Sequence, residues 1–452
     1  MGYQERMEKY RRIWQHSPRM AGILEQIVSP EEPAAVIASF VLAPALGGFV
    51  EWLLEETMRS GKKRLYFLAR DGYFPWKAAK VLCEKRCIPI ECRYLSISRY
   101  AIRLPLFHRN WEKTVEFLCR NSMHVTVQNI LKRASLTDSE CQEITEMLGL
   151  SFPPEESLSE KNLAQVRHQV GRCKEFRRIV EAHSRAAMPG LSGYLQQEGL
   201  LDGISYAIVD SGWVGSMQKS LGEVLFLLGQ TAPLEGYYWG LYDLPPGTQR
   251  SDYHTYYFGP ENGLRKKIGF NNSLLEAVSM APHGMTLSYR LEKGRYLPCY
   301  GKMEADRNNF IQKMEQYLLP YIHLLADTEP DFDSREADRK VIRGLMEKFM
   351  GNPSVEEAEI FGRLHFSDDV LDEEESEIAP ILTEQELKAY HLIPRLMMTV
   401  DEERKKVQQS AWYEGSVVRS GRRVRYHLMQ YRLFQAVRYG WKIIRFRRER
   451  RI

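Results

Sequence analysis

The signatures that mark common nucleotide, metal and acyl chemistry are missing from this 452-residue chain. It has no GxxxxGKS/T, GxGxxG, HExxH, GxSxG or DxDxT motif. P-loop and dinucleotide enzymes, zinc proteases, α/β-hydrolases and haloacid dehalogenase phosphatases are therefore excluded in their usual forms. Cysteine is sparse, with seven residues and no CxxC pair. That argues against a disulfide scaffold and for reduced thiols in a cytoplasmic protein. Cys83, Cys87 and Cys92 cluster, but no nearby His completes a zinc set. Long apolar runs are lacking as well. The longest, Ala34 to Val50, is broken by Pro44, Gly47 and Gly48 and reads as a buried helix pair rather than a membrane span. The opening MGYQERMEKYRRIW has no apolar stretch of a secretory signal, and Gly2 lacks the Ser or Thr of a myristoylation motif.

A large excess of charge of one sign is also lacking, since 63 Lys and Arg face 59 Asp and Glu and the net value is only +4. The distribution is uneven. From Arg419 onward twelve basic residues face one acid, Glu449, giving +11, so the rest of the chain carries −7. A uniformly basic nucleic-acid binder is thereby disfavoured. Within the tail, Tyr426, Leu428, Leu433, Phe434, Tyr439, Trp441, Ile444 and Phe446 interleave with the cations. This is the pattern of a basic amphipathic helix suited to an anionic membrane surface, or of a helix packed on the body with a solvated face.

The body alternates elements. Residues 34–60 read as helix with a stop at Ser60-Gly61, and Lys63–Leu68 as a buried strand. A turn at Ala69-Arg70-Asp71-Gly72 leads to a helix starting at Pro75, and Ile90–Ile97 is a second strand. Residues 108–200 read as a helical insertion, and Ile204–Val209 as a third strong strand. A Gly-rich turn, Ser211 to Ser216, precedes a helix from Met217 to Leu228, with aromatic strands at Glu235–Tyr242 and Tyr253–Phe258. The expectation is an α/β fold with a mostly parallel sheet of phosphoribosyltransferase- or Rossmann-like strand-loop-helix units. Its parts are a helical extension over 1–33, the α/β region over 34–300 with its insertion, a helical region over 301–415, and the basic tail over 416–452. Asp331-Phe332-Asp333 has the DxD form of some glycosyltransferases but sits in a charged loop and reads as fortuitous. The acidic run Asp368–Glu377 reads as a solvated connection.

In open parallel sheets ligands bind at the carboxyl ends of strands, and three such ends here are polar. After the first strand, Arg70 can grip a phosphate, Gly72 allows close backbone approach, and Asp71 can hold Mg²⁺ or a sugar hydroxyl. After the second come Ser96, Ser98, Arg99 and Arg103. After the third, Asp210-Ser211-Gly212-Trp213-Val214-Gly215-Ser216 has the form of a phosphate cradle, with Trp213 expected to be exposed and to stack on a sugar or base. A fourth segment, from Asn271 to Gly284, should start a helix capped by Asn272 or Ser273 and offers two candidate bases, Glu276 and then His283. Salt-bridged corners, a capped helix and a surface histidine are the bland alternatives.

The segments FLARDGYFPWKAAK, YLSISR, IVDSGWVGSMQKSL and NNSLLEAVSMAPHG together resemble the glycan phosphoribosyltransferase domain of bacterial dual-domain ribofuranosyltransferases, over roughly residues 35–300. Such proteins often carry the label of haloacid dehalogenase hydrolases, after a phosphatase domain that precedes the transferase. The resemblance implies phosphoribosyl pyrophosphate as donor, Mg²⁺ as cofactor at Asp71 and Asp210, and a glycan hydroxyl, lipid-linked, as acceptor in surface polysaccharide synthesis. The reduced cysteines and the basic tail lead to the expectation of a cytoplasmic protein, peripheral at the inner face of the cell membrane. The phosphatase motif is not present, so a separate phosphatase is expected to remove the 5-phosphate. Ordinary nucleotide phosphoribosyltransferases carry an acidic pair where this chain has Val209-Asp210. A hydrolase-related activity, or a non-catalytic role in a polysaccharide-assembly complex, are the alternatives.

Overall fold

The computed structural model describes residues 3–28, 30–121, 125–260, 263–331, 334–366, 371, 376–397 and 409–449. Five strands form one all-parallel sheet: β1 Arg64–Leu68, β2 Glu91–Leu95, β3 Tyr206–Trp213, β4 Gly236–Leu241 and β5 Tyr253–Phe258, in the order β2-β1-β3-β4-β5. The α/β class expected from the sequence is thus observed. β1 is buried at all five positions, as expected of a parallel strand covered on both faces. Its side chains alternate: Leu65 and Phe67 enter one core, Tyr66 and Leu68 the other.

The first face carries helices Pro33–Arg59, Tyr73–Lys85, Ala305–Asp327 and Arg335–Met350. The run from Ala34 therefore lies in one helix of 27 residues, not a pair, and 83% of its most apolar window is buried. A π-helical turn over Ala38–Leu42 precedes Pro44, which has no N–H to donate to the Phe40 carbonyl. The second face carries helix Ser216–Leu227 and the distal half of Lys174–Gln197, through Leu191 and Leu195. The insertion is helical as expected. Helices Trp111–Leu118, Val127–Arg133, Asp138–Leu148 and Glu160–Arg172 close a separate small core around Leu118, Ile130, Ile144 and Val166.

Several boundaries differ from the sequence reading. β2 ends at Leu95. β3 runs on to Trp213, so Ser211 and Gly212 are sheet residues rather than a turn. The cause is pairing: Asp210 faces Tyr238 and Gly212 faces Gly240 across β3–β4. Gly212 has φ 109°, and a Cβ there would lie 2.5 Å from the Gly240 carbonyl oxygen. An antiparallel hairpin, β6 Thr286–Glu292 and β7 Arg295–Tyr300, was not expected. Its two-residue turn is Lys293-Gly294, both at positive φ, the geometry that suits the twist of a hairpin. All seven cysteines are free, with Cys83 and Cys92 Sγ atoms 3.8 Å apart. Phe332, Asp333 and most of the acidic run after Asp368 lie outside the described residues.

Among the described residues the tail begins in helix Tyr413–Ser420 and continues, after Gly421, as helix Val424–Glu449. His427, Leu428, Phe434, Gln435 and Tyr439 bury one face against the body, while Met429, Leu433, Trp441 and Ile444 stay exposed.

Candidate active site

From β1 the chain steps outward to β2, then returns through the insertion to enter β3 on the other side of β1. The crevice between β1 and β3 is thus the switch point of the sheet, where an open parallel sheet binds its ligand. A cavity of about 290 Å³ opens there. It is lined by Arg70 and Asp71 after β1, Ser98 and Arg99 after β2, Asp210 to Trp213 and Ser216 from β3 and its helix, and Glu276. Most of the residues singled out from the sequence therefore meet in one place, although they lie up to about 200 residues apart.

Gly72, Gly215 and His283 lie outside this lining, as do Ser96 and Arg103. Gly72 borders a smaller apolar pocket of about 60 Å³ beneath the cavity, walled by Leu46, Phe49, Phe74 and Trp239. A Cβ on Gly72 would sit 2.5 Å from the Leu68 carbonyl oxygen, so this corner requires glycine. Gly215 heads helix Ser216–Leu227 and packs on Tyr253. His283 donates from Nδ1 to the Gly284 carbonyl at 2.8 Å and accepts at Nε2 from the Tyr94 hydroxyl at 2.8 Å. Burial pushes its pKa down. Both ring nitrogens are committed.

Three carboxylates share the cavity, and Asp71, Asp210 and Glu276 also touch the apolar pocket below it. Although each keeps some contact with the cavity, burial and then the charge of Asp71 push Asp210 up to about 7 and Glu276 up to about 8. The Ser211 hydroxyl donates to Asp71, and the Trp213 indole N–H donates to Glu276. Trp213 is only 9% exposed and stacks on Phe258 with its rings 17° apart. It is not the exposed platform the sequence suggested. β3 carries it past the turn position into the aromatic core, where it orients Glu276. Helix Asn272–Ser279, which bears Glu276, is capped by Asn271, whose side chain accepts from the Leu274 N–H at 2.8 Å. The expected caps one and two residues later are already helical.

Four arginines face these acids. Arg70 and Arg99 were expected, and Arg120 and Arg307 were not. Arg120 follows the first helix of the insertion, and partial burial together with Arg99 and Arg103 holds its guanidinium below the usual range. Arg307 belongs to helix Ala305–Asp327 and contacts Met280 Sδ at 2.8 Å. No periodicity or motif marks either one. Tyr242, just past β4, completes the wall and could have been found as the residue at a fourth strand end. Ser98 has little left for a ligand: its hydroxyl donates to the Thr286 carbonyl at 2.6 Å and accepts from the Ala101 N–H at 3.0 Å.

Among the described residues no three His, Cys, Asp or Glu side chains form a ready-made metal cage. Asp71 and Asp210 nevertheless suit Mg²⁺. They are hard oxygen donors on one cavity, and the charge of Asp71 raises the cost of ionising Asp210, which a shared cation would relieve. Mg²⁺ ordinarily takes one or two carboxylates and completes its shell with phosphate and water. No protein-family model matches this chain, and no curated protein matches it significantly.

Proposed function

We propose that the protein is a glycosyltransferase that moves ribose 5-phosphate from phosphoribosyl pyrophosphate to a hydroxyl of a lipid-linked glycan in bacterial surface polysaccharide synthesis. One observation carries the reading: a single switch-point cavity sets Asp71, Asp210 and Glu276 against Arg70, Arg99, Arg120 and Arg307. A donor with a monophosphate at one end and a diphosphate at the other needs several cations. The positive charge that develops at its anomeric carbon needs carboxylates nearby.

In this reading the bond from the anomeric carbon to the pyrophosphate oxygen breaks, and both electrons leave with pyrophosphate. The acceptor oxygen bonds to that carbon and its proton passes to a base. Glu276 is the base of choice, because it lines the cavity, is fixed by Trp213 and has a raised proton affinity. His283 lies behind Tyr94 with both nitrogens engaged. The arginines hold phosphate oxygens bidentately and screen the leaving group. Asp71 and Asp210 would hold Mg²⁺, which when bound supplies charge neutralisation of the diphosphate.

Incubation with phosphoribosyl pyrophosphate and glycan fragments should release pyrophosphate and yield a glycan heavier by one phosphoribosyl group. Asp71→Ala and Asp210→Ala should abolish both while the circular dichroism spectrum is kept. Release of inorganic phosphate without transfer would favour a hydrolase. Activity within a few-fold of wild type in either variant would sink the assignment.

A further inference from the structure

The tail helix buries one face and keeps a second apolar face that none of the described residues covers. Tyr426, Met429, Leu433, Ala436 and Ile444 recur at three- and four-residue steps or multiples of them, with Trp441 beside the last. Trp441 is 75% exposed and Ile444 55%. Helix Leu392–Met397 packs against this helix and adds Ile393 and Met397, at 67% and 71%. Arg425, Arg432, Arg438, Arg445 and Arg448 are exposed along the same helix. Side chains of this kind have a higher free energy in water than at an apolar surface with negative charge.

The same helix borders the proposed active site. Lys442 Nζ lies 3.6 Å from Asp243 Oδ2 and 4.6 Å from the centre of the Tyr242 ring, and Tyr242 lines the cavity. Arg250, across the β4–β5 connection from Asp243, stacks on Phe446 at 4.9 Å. The helix therefore braces the connection that forms one lip of the cavity.

We infer that Trp441, Ile444 and the neighbouring arginines dock the protein on an anionic lipid bilayer and hold the mouth of the cavity beside the headgroups. The occupant is a bilayer rather than a second copy, because one face combines exposed indole and aliphatic side chains with a row of arginines, and two copies would oppose like charges. Each basic residue near an anionic surface multiplies partitioning by about five-fold. The acceptor would then arrive from the lipid side. That last step rests on the proposed transfer reaction, but docking does not.

Flotation of the full chain with phosphatidylcholine vesicles, with and without phosphatidylglycerol, tests docking without any activity. Wild type should float with the anionic vesicles and stay below with the neutral ones. Trp441→Glu with Ile444→Glu should lower partitioning by at least about ten-fold, and Arg445→Gln with Arg448→Gln by a similar factor. The circular dichroism melting curve should be unchanged, since all four side chains lie mainly in solvent. Pyrophosphate release with a short soluble acceptor should also be unchanged in both variants. Equal flotation of wild type and the Glu double variant would overturn the inference. So would a wild type that ignores anionic vesicles and instead dimerises in sedimentation velocity. Loss of pyrophosphate release in every protein, with flotation as expected, would count against the transferase reading alone.

Discussion

Lys267 offers a measurement in which the sign and size of the effect both follow from burial. Its side chain is 7% exposed, and its ammonium lies 5.0 Å from the Phe270 ring centre and donates to the Phe270 carbonyl at 3.1 Å. Burial pushes its pKa down to about 7 from the ordinary 10.5, opposed by Glu414, which burial pushes up to about 7. Above 10.5 the amine is neutral in both folded and unfolded chains, and nothing is lost on folding. As pH falls, the unfolded chain takes up a proton that the folded chain accepts only near 7, so stability declines and the full penalty is present below that value. The gap is worth about 5 kcal/mol at about 1.36 kcal/mol per pH unit. Lys267→Met removes the charge at nearly constant length. It also forfeits the cation–π contact and the hydrogen bond, each worth about 1–2 kcal/mol, leaving a net gain of about 2 kcal/mol. Urea unfolding at pH 6 should therefore show the variant more stable than wild type. The difference should shrink through pH 8 and vanish or reverse by pH 10, where the wild-type amine is neutral and the variant lacks only its hydrogen bond. A difference independent of pH, or a variant less stable at pH 6, would refute the argument from burial.

Three further outcomes are expected. Arg6 holds Glu357 through two contacts, at 2.8 and 2.7 Å, with both side chains nearly inaccessible, so Arg6→Ala should cost about 3–5 kcal/mol in urea unfolding, and adding Glu357→Gln should recover part of it. The buried imidazoles of His391 and His427 touch at 2.8 Å, and burial lowers both below 6.5, so the C-terminal helices should lose stability as pH falls through 6.5, read as faster amide exchange there at pH 5 than at pH 7.5. Arg120→Ala should weaken inorganic pyrophosphate binding by at least about ten-fold in calorimetry, a loss of about 1.4 kcal/mol or more, without altering the melting temperature by more than a degree or two.

The strand-loop-helix units were legible because their local chemistry is strong. A buried parallel strand such as Arg64–Leu68 must be apolar on both faces, and a glycine must stand where a side chain would meet the Leu68 carbonyl. The polar residues after those strands could be named for the same reason, and most of them line the cavity. The hairpin from Thr286 escaped notice because its alternation is exposed and weak, and its Lys-Gly turn is an uncommon signal. Trp213 was misread because a glycine before a large aromatic residue looks like a turn. Only the pairing of Gly212 with Gly240 shows that the strand continues.

The sequence by itself determined the order of elements, the strand-end acids and two of the arginines, since propensity, periodicity and turn chemistry act over a few residues. The tertiary structure alone decided that Arg120 and Arg307 face those acids, that His283 is turned away, and that the basic tail divides into a packed face and an open one. These are meetings of residues far apart in the chain, set by which surfaces close on each other to leave water, and no local pattern records them.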